Sequence, residues 1–200
     1  HCQLPPTIKS EEASKKGLGL TLFEKCIEQH PEAVVLLEEQ YRMNAAIMAY
    51  SSKVFYENKL KAHASVAERR LFLEEAPLEF IDTAGCGFDE KSEGTGMINS
   101  DEALFLRKHL LSLVNRISSQ SEPVDFPSIA VIAPYRHQID VLQDLLNHTP
   151  ELRPYRESIS INTVDSFQGQ ERDVVYIGMT RSNTEGKIGF LADIRRMNVA

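Results

Sequence analysis

Residues 159–182, which read ISINTVDSFQGQERDVVYIGMTRS, contain two strand patterns joined by a polar segment. Residues 159–163 alternate between two kinds of side chain, which is typical of a strand whose faces see different surroundings. Residues 174–179 are almost continuously apolar, which predicts a strand covered on both faces. The link between them is short for a parallel crossover, so a helical turn beginning near Ser166 is expected.

The polar link, residues 165–173, is rich in side chains that can bind a ligand. These are Asp165, Ser166, Gln168, Gln170 and Glu171. Gly169, near the centre, allows the backbone to come close to another group. An ordinary polar turn at a strand end is the alternative interpretation, and spacing alone does not decide between the two.

The same order of apolar strand and amphipathic helix recurs along the rest of the chain. Further strands are predicted at residues 33–37, 78–81 and 129–133. Helices are predicted at residues 20–29, from an Asn44 cap to residue 55, from a Ser100 cap to residue 117, and at residues 137–146. Residues 86–99 and 147–157 are predicted loops, the first of them mobile. This alternation predicts an α/β fold with a mostly parallel sheet and helices on both faces.

Composition narrows the class of protein. The 200 residues are 42% hydrophobic, which fits one α/β domain over residues 1–200, and we expect it to be cut at both ends from a larger protein. The net charge of −7 leaves only a local groove for nucleic acid. Cys2, Cys26 and Cys86 form no C-x-x-C pair, so neither a disulfide framework nor a metal site is expected.

The chain also lacks an apolar run of the ~18 residues needed to span a bilayer, and it lacks a leader pattern. We therefore expect an intracellular protein, cytoplasmic or nuclear, with no membrane partner.

Candidate ligand-binding residues lie where strands meet helices. Tyr41 and Arg42 fall between a predicted strand and the Asn44 cap, and ligands bind at the carboxyl ends of strands in open α/β sheets. A solvated arginine and a packing tyrosine are the plainer alternatives. His137 and Gln138 occupy the first turn of a predicted helix, where such residues are more often solvated than ligand-binding.

Two further segments imitate nucleotide motifs. Asp82 to Gly85 has the D-x-x-G form of a GTPase switch, but the chain has no G-x-x-x-x-G-K-[ST] loop, so we interpret it as a strand-end turn. Asp101 and Glu102 imitate the end of a Walker B motif. They follow a glycine-rich segment rather than a strand, so we expect them to favour the positive end of a helix dipole.

Five segments, in order, resemble motifs of superfamily 1 helicases of the nonsense-mediated-decay (up-frameshift) type. They read HCQLPP, QYRM, VIAPYRHQ, INTVDSFQGQE and RRMNVA, and together they span residues 1–200. The resemblance implies a RecA-like domain, the second of two that enclose ATP, without a P-loop of its own. The Walker A lysine and the Mg²⁺ ligands would belong to the first, N-terminal RecA-like domain. The isolated chain is then expected neither to hydrolyse ATP nor to unwind.

The resemblance also implies roles for single residues at the ATP site. Gln3 would contact the γ-phosphate and the attacking water, and Tyr41 would stack on adenine. Arg42 would be an arginine finger, a cation of the kind that can raise the rate of phosphoryl transfer by ~10³ to 10⁵. Glu171 would accept hydrogen bonds from the ribose, and Gly169 would keep the backbone close.

For nucleic acid, the resemblance implies that Thr163 and the segment Pro134, Tyr135 and Arg136 face the backbone of single-stranded DNA or RNA, with movement from 5′ to 3′. Contacts of this kind carry little sequence information, which suits a motor.

The chain ends at Ala200, before the arginine of the family's T-R-A segment. Arg195 and Arg196 are therefore expected to make structural or interdomain contacts instead. A domain of the same fold kept as a nucleic-acid or protein docking module, without motor function, is the alternative to a helicase motor. The presence of Gln3, Tyr41, Arg42 and Glu171 together favours the motor.

Overall fold

The computed structural model describes residues 4, 10–94, 96–120 and 125–200. Gln3, predicted to contact the γ-phosphate, lies outside the described residues. The chain divides into two compact units, residues 1–80 and 81–200. The expectation of one domain over residues 1–200 stays a prediction.

The first unit consists of helices and a small parallel sheet. Its elements are α1 (Glu11–Ala13), a π-helix (Ser14–Leu18), α2 (Leu22–Gln29), a 3-10 turn (Pro31–Ala33), β1 (Glu39–Gln40), α3 (Ala45–Phe55), β2 (Lys61–Ala62) and α4 (Ala64–Ala67). β1 pairs in parallel with β2.

Side-chain caps explain where two of these helices begin. Thr21 and Glu24 form a capping box at α2, in which each side chain accepts a hydrogen bond from the other residue's N–H group. The Asn44 side chain accepts from the Ala46 N–H at 2.8 Å, which confirms the predicted cap of α3.

Two strands predicted in and next to this unit are absent. Residues 34–37 follow the 3-10 turn without forming a strand, and Val35 and Leu37 are 82% and 83% exposed. Residues 78–81 form no strand either, and Phe80 is 85% exposed. An apolar run forms a strand only where a neighbouring strand completes its hydrogen bonds, and β1 and β2 pair over two residues each without including either run.

The second unit is organised around a three-stranded parallel sheet. Its elements are β3 (Lys91–Glu93), β4 (Gly96–Ile98), α5 (Ser100–Ser118), β5 (Ile129–Ala133), α6 (Arg136–Asn147), a 3-10 helix (Pro150–Ser158), β6 (Ile159–Thr163), α7 (Val164–Phe167), β7 (Val174–Ile177), a 3-10 turn (Gly189–Ala192) and α8 (Arg195–Val199). The sheet order is β6-β5-β7, with β5 parallel to both neighbours. The predicted mixed α/β class with a parallel sheet is confirmed, and α7 supplies the helical turn expected near Ser166.

The core of this unit lies between the sheet and two helices. All five residues of β5 are at most 2% exposed, so that strand is covered on both faces. α5 and α6 pack against each other, and α6 also packs against β5 and β6. Their buried side chains are Leu106, Leu110, Leu113, Val114, Ile139, Leu142 and Leu146.

Several local predictions for this unit were wrong. Residues 86–99 contain the antiparallel hairpin of β3 and β4. Gly96 leaves room there for the His137 ring, which a Cβ atom at this position would overlap. The cap of α5 is Asn99, whose side chain accepts from the Glu102 N–H at 3.0 Å, and Ser100 is the first helical residue.

The structure also differs from the predictions for the loop after α6 and for the burial of β7. Residues 150–158 form a 3-10 helix that buries Leu152. In β7, Val175 and Ile177 are 43% and 37% exposed, so only one face of that strand is covered. β7 lies at the edge of the described sheet, and its Tyr176 faces His109 of α5 with a hydrogen bond of 2.9 Å.

Candidate functional site

The first candidate region is the turn between β1 and α3, residues 41–43, which we name the Tyr41 turn. The Gln40 side chain folds back over it, and its Oε1 accepts from the N–H groups of Arg42 and Met43 at 2.8 and 2.9 Å. Its Nε2 also donates to the Met43 carbonyl at 2.8 Å. These three bonds fix the backbone of the turn, a role for Gln40 that the sequence did not reveal.

Tyr41 presents an aromatic surface to solvent. The residue is 61% exposed, and its ring stacks on His63 with 4.3 Å between the ring centres. Its hydroxyl donates to Glu39 at 2.9 Å, and this hydrogen bond raises the pKa of Tyr41 above its ordinary value. Arg42 is exposed beside it. A ring and a guanidinium at the end of a strand suit a base and a phosphate.

The second candidate region follows β5 and comprises residues 134–136, named here the Tyr135 turn. Tyr135 is 6% exposed, and its hydroxyl accepts from Arg181 Nη1 at 3.0 Å and from the Phe190 N–H at 3.4 Å. Arg136 begins α6 with a side chain that is 63% exposed, and its Nε lies 3.2 Å from Asp140 Oδ1. Of the three residues predicted here to contact nucleic acid, Tyr135 is buried, Pro134 is half-buried and Arg136 presents its side chain to solvent.

The third candidate region is the link between β6 and β7. The Thr163 hydroxyl lies 3.1 Å from that of Ser166. Gly169 has φ +81°, a conformation that L side chains rarely adopt, and apart from its chain neighbours no described residue lies within 4 Å of where its Cβ would stand. Glu171 is exposed. The glycine is thus required by its backbone conformation, and it leaves open space beside the link.

The link is also held by its own side chains. Gln170 Nε2 donates to the Ser166 carbonyl at 2.8 Å, and Arg172 Nη2 donates to Gln170 Oε1 at 2.8 Å. The Arg172 guanidinium also lies 5.5 Å from the centre of the Phe167 ring. All three contacts join residues of the link to one another.

The sheet brings two of the predicted regions together. Ala133 and Thr163 are partners in the β5–β6 ladder, so the Tyr135 turn and Thr163 lie at the same edge of the sheet, the carboxyl ends of the strands. Tyr41 and Arg42 belong to the first unit, whereas Gly169 and Glu171 belong to the second.

A buried polar cluster that the sequence did not reveal lies behind this edge. Asn99, Gln138 and Thr180 are 3%, 1% and 1% exposed, and the carboxylate of Glu102 joins them. Gln138 is therefore neither solvated nor exposed to a ligand. The spacing of Asn99 and Glu102 is that of a capping box, a pattern that could have identified the cap but not the distant partners of the carboxylate.

The electrostatics of this edge follow from burial and hydrogen bonding. Burial raises the pKa of Glu102, against the opposing effect of hydrogen bonds from the Thr180 and Met179 N–H groups and from Gln138. Burial also acts to raise the pKa of Glu90, but hydrogen bonds from Arg181, the Ser182 N–H and Asn183 lower it overall. The hydrogen bond to Glu90 in turn raises the pKa of Arg181.

The two arginines near the end of the chain make structural contacts, as expected. Arg195 binds both carboxylate oxygens of Asp193 at 2.9 Å, and Arg196 Nη1 donates to the Phe190 carbonyl at 2.7 Å.

Within the described ranges of the chain, no group of three or more His, Cys, Asp or Glu residues is placed to hold a metal ion. None of the helices in the described part is long and apolar enough to cross a membrane.

Comparison with known proteins gives consistent matches. A family described as an AAA domain matches residues 18–200. DNA-binding protein SMUBP-2 of Rattus norvegicus is 42% identical over 215 residues, which is 100% of this chain and 20% of that protein. An uncharacterized ATP-dependent helicase of Methanocaldococcus jannaschii is 35% identical, over 100% of this chain and 29% of its own length. The DNA replication ATP-dependent helicase/nuclease DNA2 of Homo sapiens is 33% identical, over 100% of this chain and 20% of its own length.

Proposed function

Because the chain belongs to the AAA-domain family and is a superfamily 1 helicase domain related to SMUBP-2 and DNA2, we propose that it is the second RecA-like motor domain of an ATP-dependent helicase. The observation that carries this proposal is the Tyr41 turn, which presents an exposed ring and an exposed guanidinium on a backbone fixed by Gln40. The chain spans less than a third of each of these relatives, so the activity is proposed for the whole protein.

At the ATP site, each of the three parts of the nucleotide has its own proposed contact. Tyr41 stacks on adenine, Glu171 accepts hydrogen bonds from the ribose hydroxyls beside the backbone of Gly169, and Arg42 reaches the γ-phosphate. Gln3 contacts the γ-phosphate and the attacking water. Phosphoryl transfer depends on positioning and on cationic stabilisation of the developing charge, which an arginine supplies without a protein nucleophile.

The remaining parts of the ATP site would come from the N-terminal RecA-like domain of the same protein. That domain would provide the Walker A lysine and the ligands for Mg²⁺, since the chain has no G-x-x-x-x-G-K-[ST] loop. Bound Mg²⁺ neutralises charge on the phosphate oxygens.

The nucleic-acid track is proposed to follow the carboxyl edge of the parallel sheet. Arg136 and Thr163 would contact phosphates and sugars of the strand. Pro134 and the buried Tyr135 would set the backbone conformation next to Arg136. The overall charge of −7 favours a narrow track over a broad basic surface. Because SMUBP-2 and DNA2 are named for DNA, we propose single-stranded DNA as the first substrate, with RNA as the alternative and movement from 5′ to 3′.

A docking module without motor function is the second candidate. The exposed positions of both Tyr41 and Arg42 favour the motor, because a docking module has no physical need for a stacking ring and a cation at one strand end.

The test is a set of assays on the full-length protein. We expect ATP hydrolysis in the presence of Mg²⁺, stimulation by single-stranded DNA, and unwinding of a duplex with a 5′ tail in preference to one with a 3′ tail. Binding to single-stranded DNA without any hydrolysis would reject the motor and support the docking module. Preferred unwinding from a 3′ tail would reject the polarity alone.

A further inference from the structure

Thr180, just after β7, has a backbone conformation that its residue type disfavours. Its φ is +65°, although a β-branched side chain in the left-handed region is a true outlier. The residue is 1% exposed, and its Oγ1 has no hydrogen-bond partner among the described residues. Such a conformation persists only when surrounding contacts hold it, and conformations of this kind cluster at functional sites.

The side chains of Asn99, Glu102 and Gln138 form a polar network beside this residue, which we name the polar clamp. Asn99 and Gln138 are buried, and Glu102 is half-buried. The Glu102 carboxylate accepts from the N–H of Met179 at 2.7 Å and from that of Thr180 at 2.9 Å. Asn99 Nδ2 donates to the Thr180 carbonyl at 3.3 Å. Both backbone polar groups of the strained residue are thus bound by side chains from the start of α5.

Gln138 ties the clamp to α6. Its Oε1 accepts from the Asn99 N–H at 2.8 Å, and its Nε2 donates to the Asn99 carbonyl at 3.0 Å and to Glu102 Oε2 at 3.1 Å. Gly178 leaves room for the carboxylate, since a Cβ atom there would stand 3.3 Å from Glu102 Oε2. The clamp therefore joins the start of α5, the start of α6 and the end of β7.

The strained residue also directs the next side chain. Arg181 leaves the backbone beside Thr180 and binds Glu90 through Nε and Nη2, at 2.7 and 3.0 Å. Its Nη1 donates to the Tyr135 hydroxyl at 3.0 Å. The ion pair is well shielded, with side chains 13% and 10% exposed, so salt screens it little.

These contacts hold the Tyr135 turn on both sides of Arg136. Tyr135 is held through Arg181, and Gln138, two residues beyond Arg136, is held in the clamp. Arg136 itself remains 63% exposed, at the edge of the sheet where Thr163 also lies. An exposed arginine on a fixed backbone loses less conformational freedom when it binds a phosphate.

We propose that Asn99, Glu102 and Gln138 are positioning residues, which fix the Tyr135 turn through the strained Thr180 and so place Arg136 against a nucleic-acid phosphate. This inference rests on the proposed function, in which Arg136 contacts the strand. A clamp with a purely structural role would instead affect binding regardless of which residue stands at position 136.

A double-mutant cycle on the full-length protein separates these two roles. The affinity for a fluorescent oligo(dT) is measured by anisotropy at several salt concentrations for the wild type, Arg136→Ala, Glu102→Gln and the double variant. Asp101→Asn is the matched control, because it changes an exposed carboxylate in the same helical turn. Where Glu102→Gln does not fold, Tyr135→Phe takes its place, since it removes only the hydroxyl that receives Arg181.

We expect Arg136→Ala to weaken binding about threefold to tenfold and to reduce the salt slope by about 0.7, the value for one phosphate contact on a single strand. Glu102→Gln should weaken binding about threefold in the presence of Arg136 and have almost no effect in its absence, because coupled residues are not additive. Asp101→Asn should change neither the affinity nor the salt slope.

Two results would overturn the proposal, and they have different meanings. If Glu102→Gln weakens binding by the same factor with and without Arg136, the clamp is only structural and the proposed function stands. If Arg136→Ala changes neither affinity nor salt slope, the turn does not contact the strand, and the nucleic-acid part of the proposed function fails as well.

Discussion

The Tyr41 turn and the Tyr135 turn place the same Tyr-Arg pair between a parallel strand and a helix, in opposite surroundings. Tyr41 is 61% exposed and bonded to neighbours within its own unit, whereas Tyr135 is 6% exposed and receives its hydrogen bonds from residues 46 and 55 positions away. The Tyr41 ring is available to a ligand, whereas the Tyr135 ring is buried and helps to hold its turn in place. The comparison shows that a dipeptide and its place in the fold do not define a role, because burial decides which atoms a ligand can reach.

The backbone around Arg42 and the backbone around Arg136 also differ in what holds them. Gln40 holds the backbone beneath Arg42 with local hydrogen bonds, whereas the polar clamp and Arg181 hold the backbone around Arg136 with contacts between distant segments. This difference agrees with the proposed roles, in which the first turn binds a nucleotide and the second contacts the nucleic-acid strand.

The largest expected effect concerns the arginine of the Tyr41 turn. In the full-length protein, Arg42→Ala should reduce the kcat of ATP hydrolysis about 10³-fold with little change in the KM for ATP, because a finger acts mainly in the transition state. Steady-state kinetics at saturating single-stranded DNA measure this. Arg136→Ala is the matched control and should retain kcat. Equal losses of kcat in both variants would remove the distinction between the two turns.

A second prediction concerns the stability that each ring provides. Tyr135→Ala should lower the free energy of unfolding by about 3 kcal/mol, because it removes a buried aromatic ring and the acceptor for Arg181. Tyr41→Ala should leave the urea midpoint almost unchanged. A large shift for Tyr41→Ala would mean that its ring is buried in the whole protein, and the exposed and buried turns would no longer differ.

The third prediction isolates stacking at the Tyr41 turn. Tyr41→Ala should raise the Kd for ATP about tenfold, as expected for the loss of one base–aromatic stack, with Tyr41→Phe close to wild type. Tyr135→Phe should not change the affinity for ATP. Titration with a fluorescent ATP analogue measures these values, and a wild-type Kd in Tyr41→Ala would reject the adenine assignment.

The smallest expected effect is a pH dependence that involves two carboxyl groups near the Tyr135 turn, Glu90 and Glu102. The pKa of Glu90 is lowered from 4.5, so its contribution to stability is present above pH 4.5 and is lost as the pH falls through the lowered pKa. The pKa of Glu102 is raised from 4.5. The protonated Glu102 side chain therefore contributes stability that is present below pH 4.5 and is lost as the pH rises through the raised pKa. Tyr41 titrates above 10.0 and does not contribute in this range.

Unfolding free energies of Glu90→Gln and Glu102→Gln, measured from about pH 3 to 7, test these opposite signs. Relative to the wild type, Glu90→Gln should weaken the fall in stability toward acid, and Glu102→Gln should weaken the fall toward neutral pH. If the slope of the unfolding free energy against pH changes in the same direction in both variants, the opposite directions of the two pKa shifts are contradicted.

Much of the second unit could be predicted because its decisive contacts leave a periodic pattern. The apolar run of β5, the alternation in β6 and the spacing of Leu106, Leu110 and Leu113 each define an element by local repetition. The Asn44 cap and the helical turn near Ser166 are likewise local, since they involve residues within one turn.

The missed features depend on partners far away in the chain. Residues 34–37 are as apolar as β5 and yet form no strand, because sequence periodicity does not say whether a neighbouring strand is present. Glu102 reaches groups 77 and 78 positions away, and Gln138 reaches across 39 positions. The left-handed conformation of Thr180 has no local sequence signature, since it follows from those contacts.

A structure of the full-length protein with Mg²⁺, ADP and a γ-phosphate mimic would show whether the Tyr41 turn forms one side of an ATP site. We predict that the Arg42 guanidinium lies within hydrogen-bonding distance of the mimic, about 3 Å, and that the Tyr41 ring is stacked on adenine. A complex in which Arg42 points away from the phosphates and Tyr41 does not touch the base would contradict this role for the Tyr41 turn.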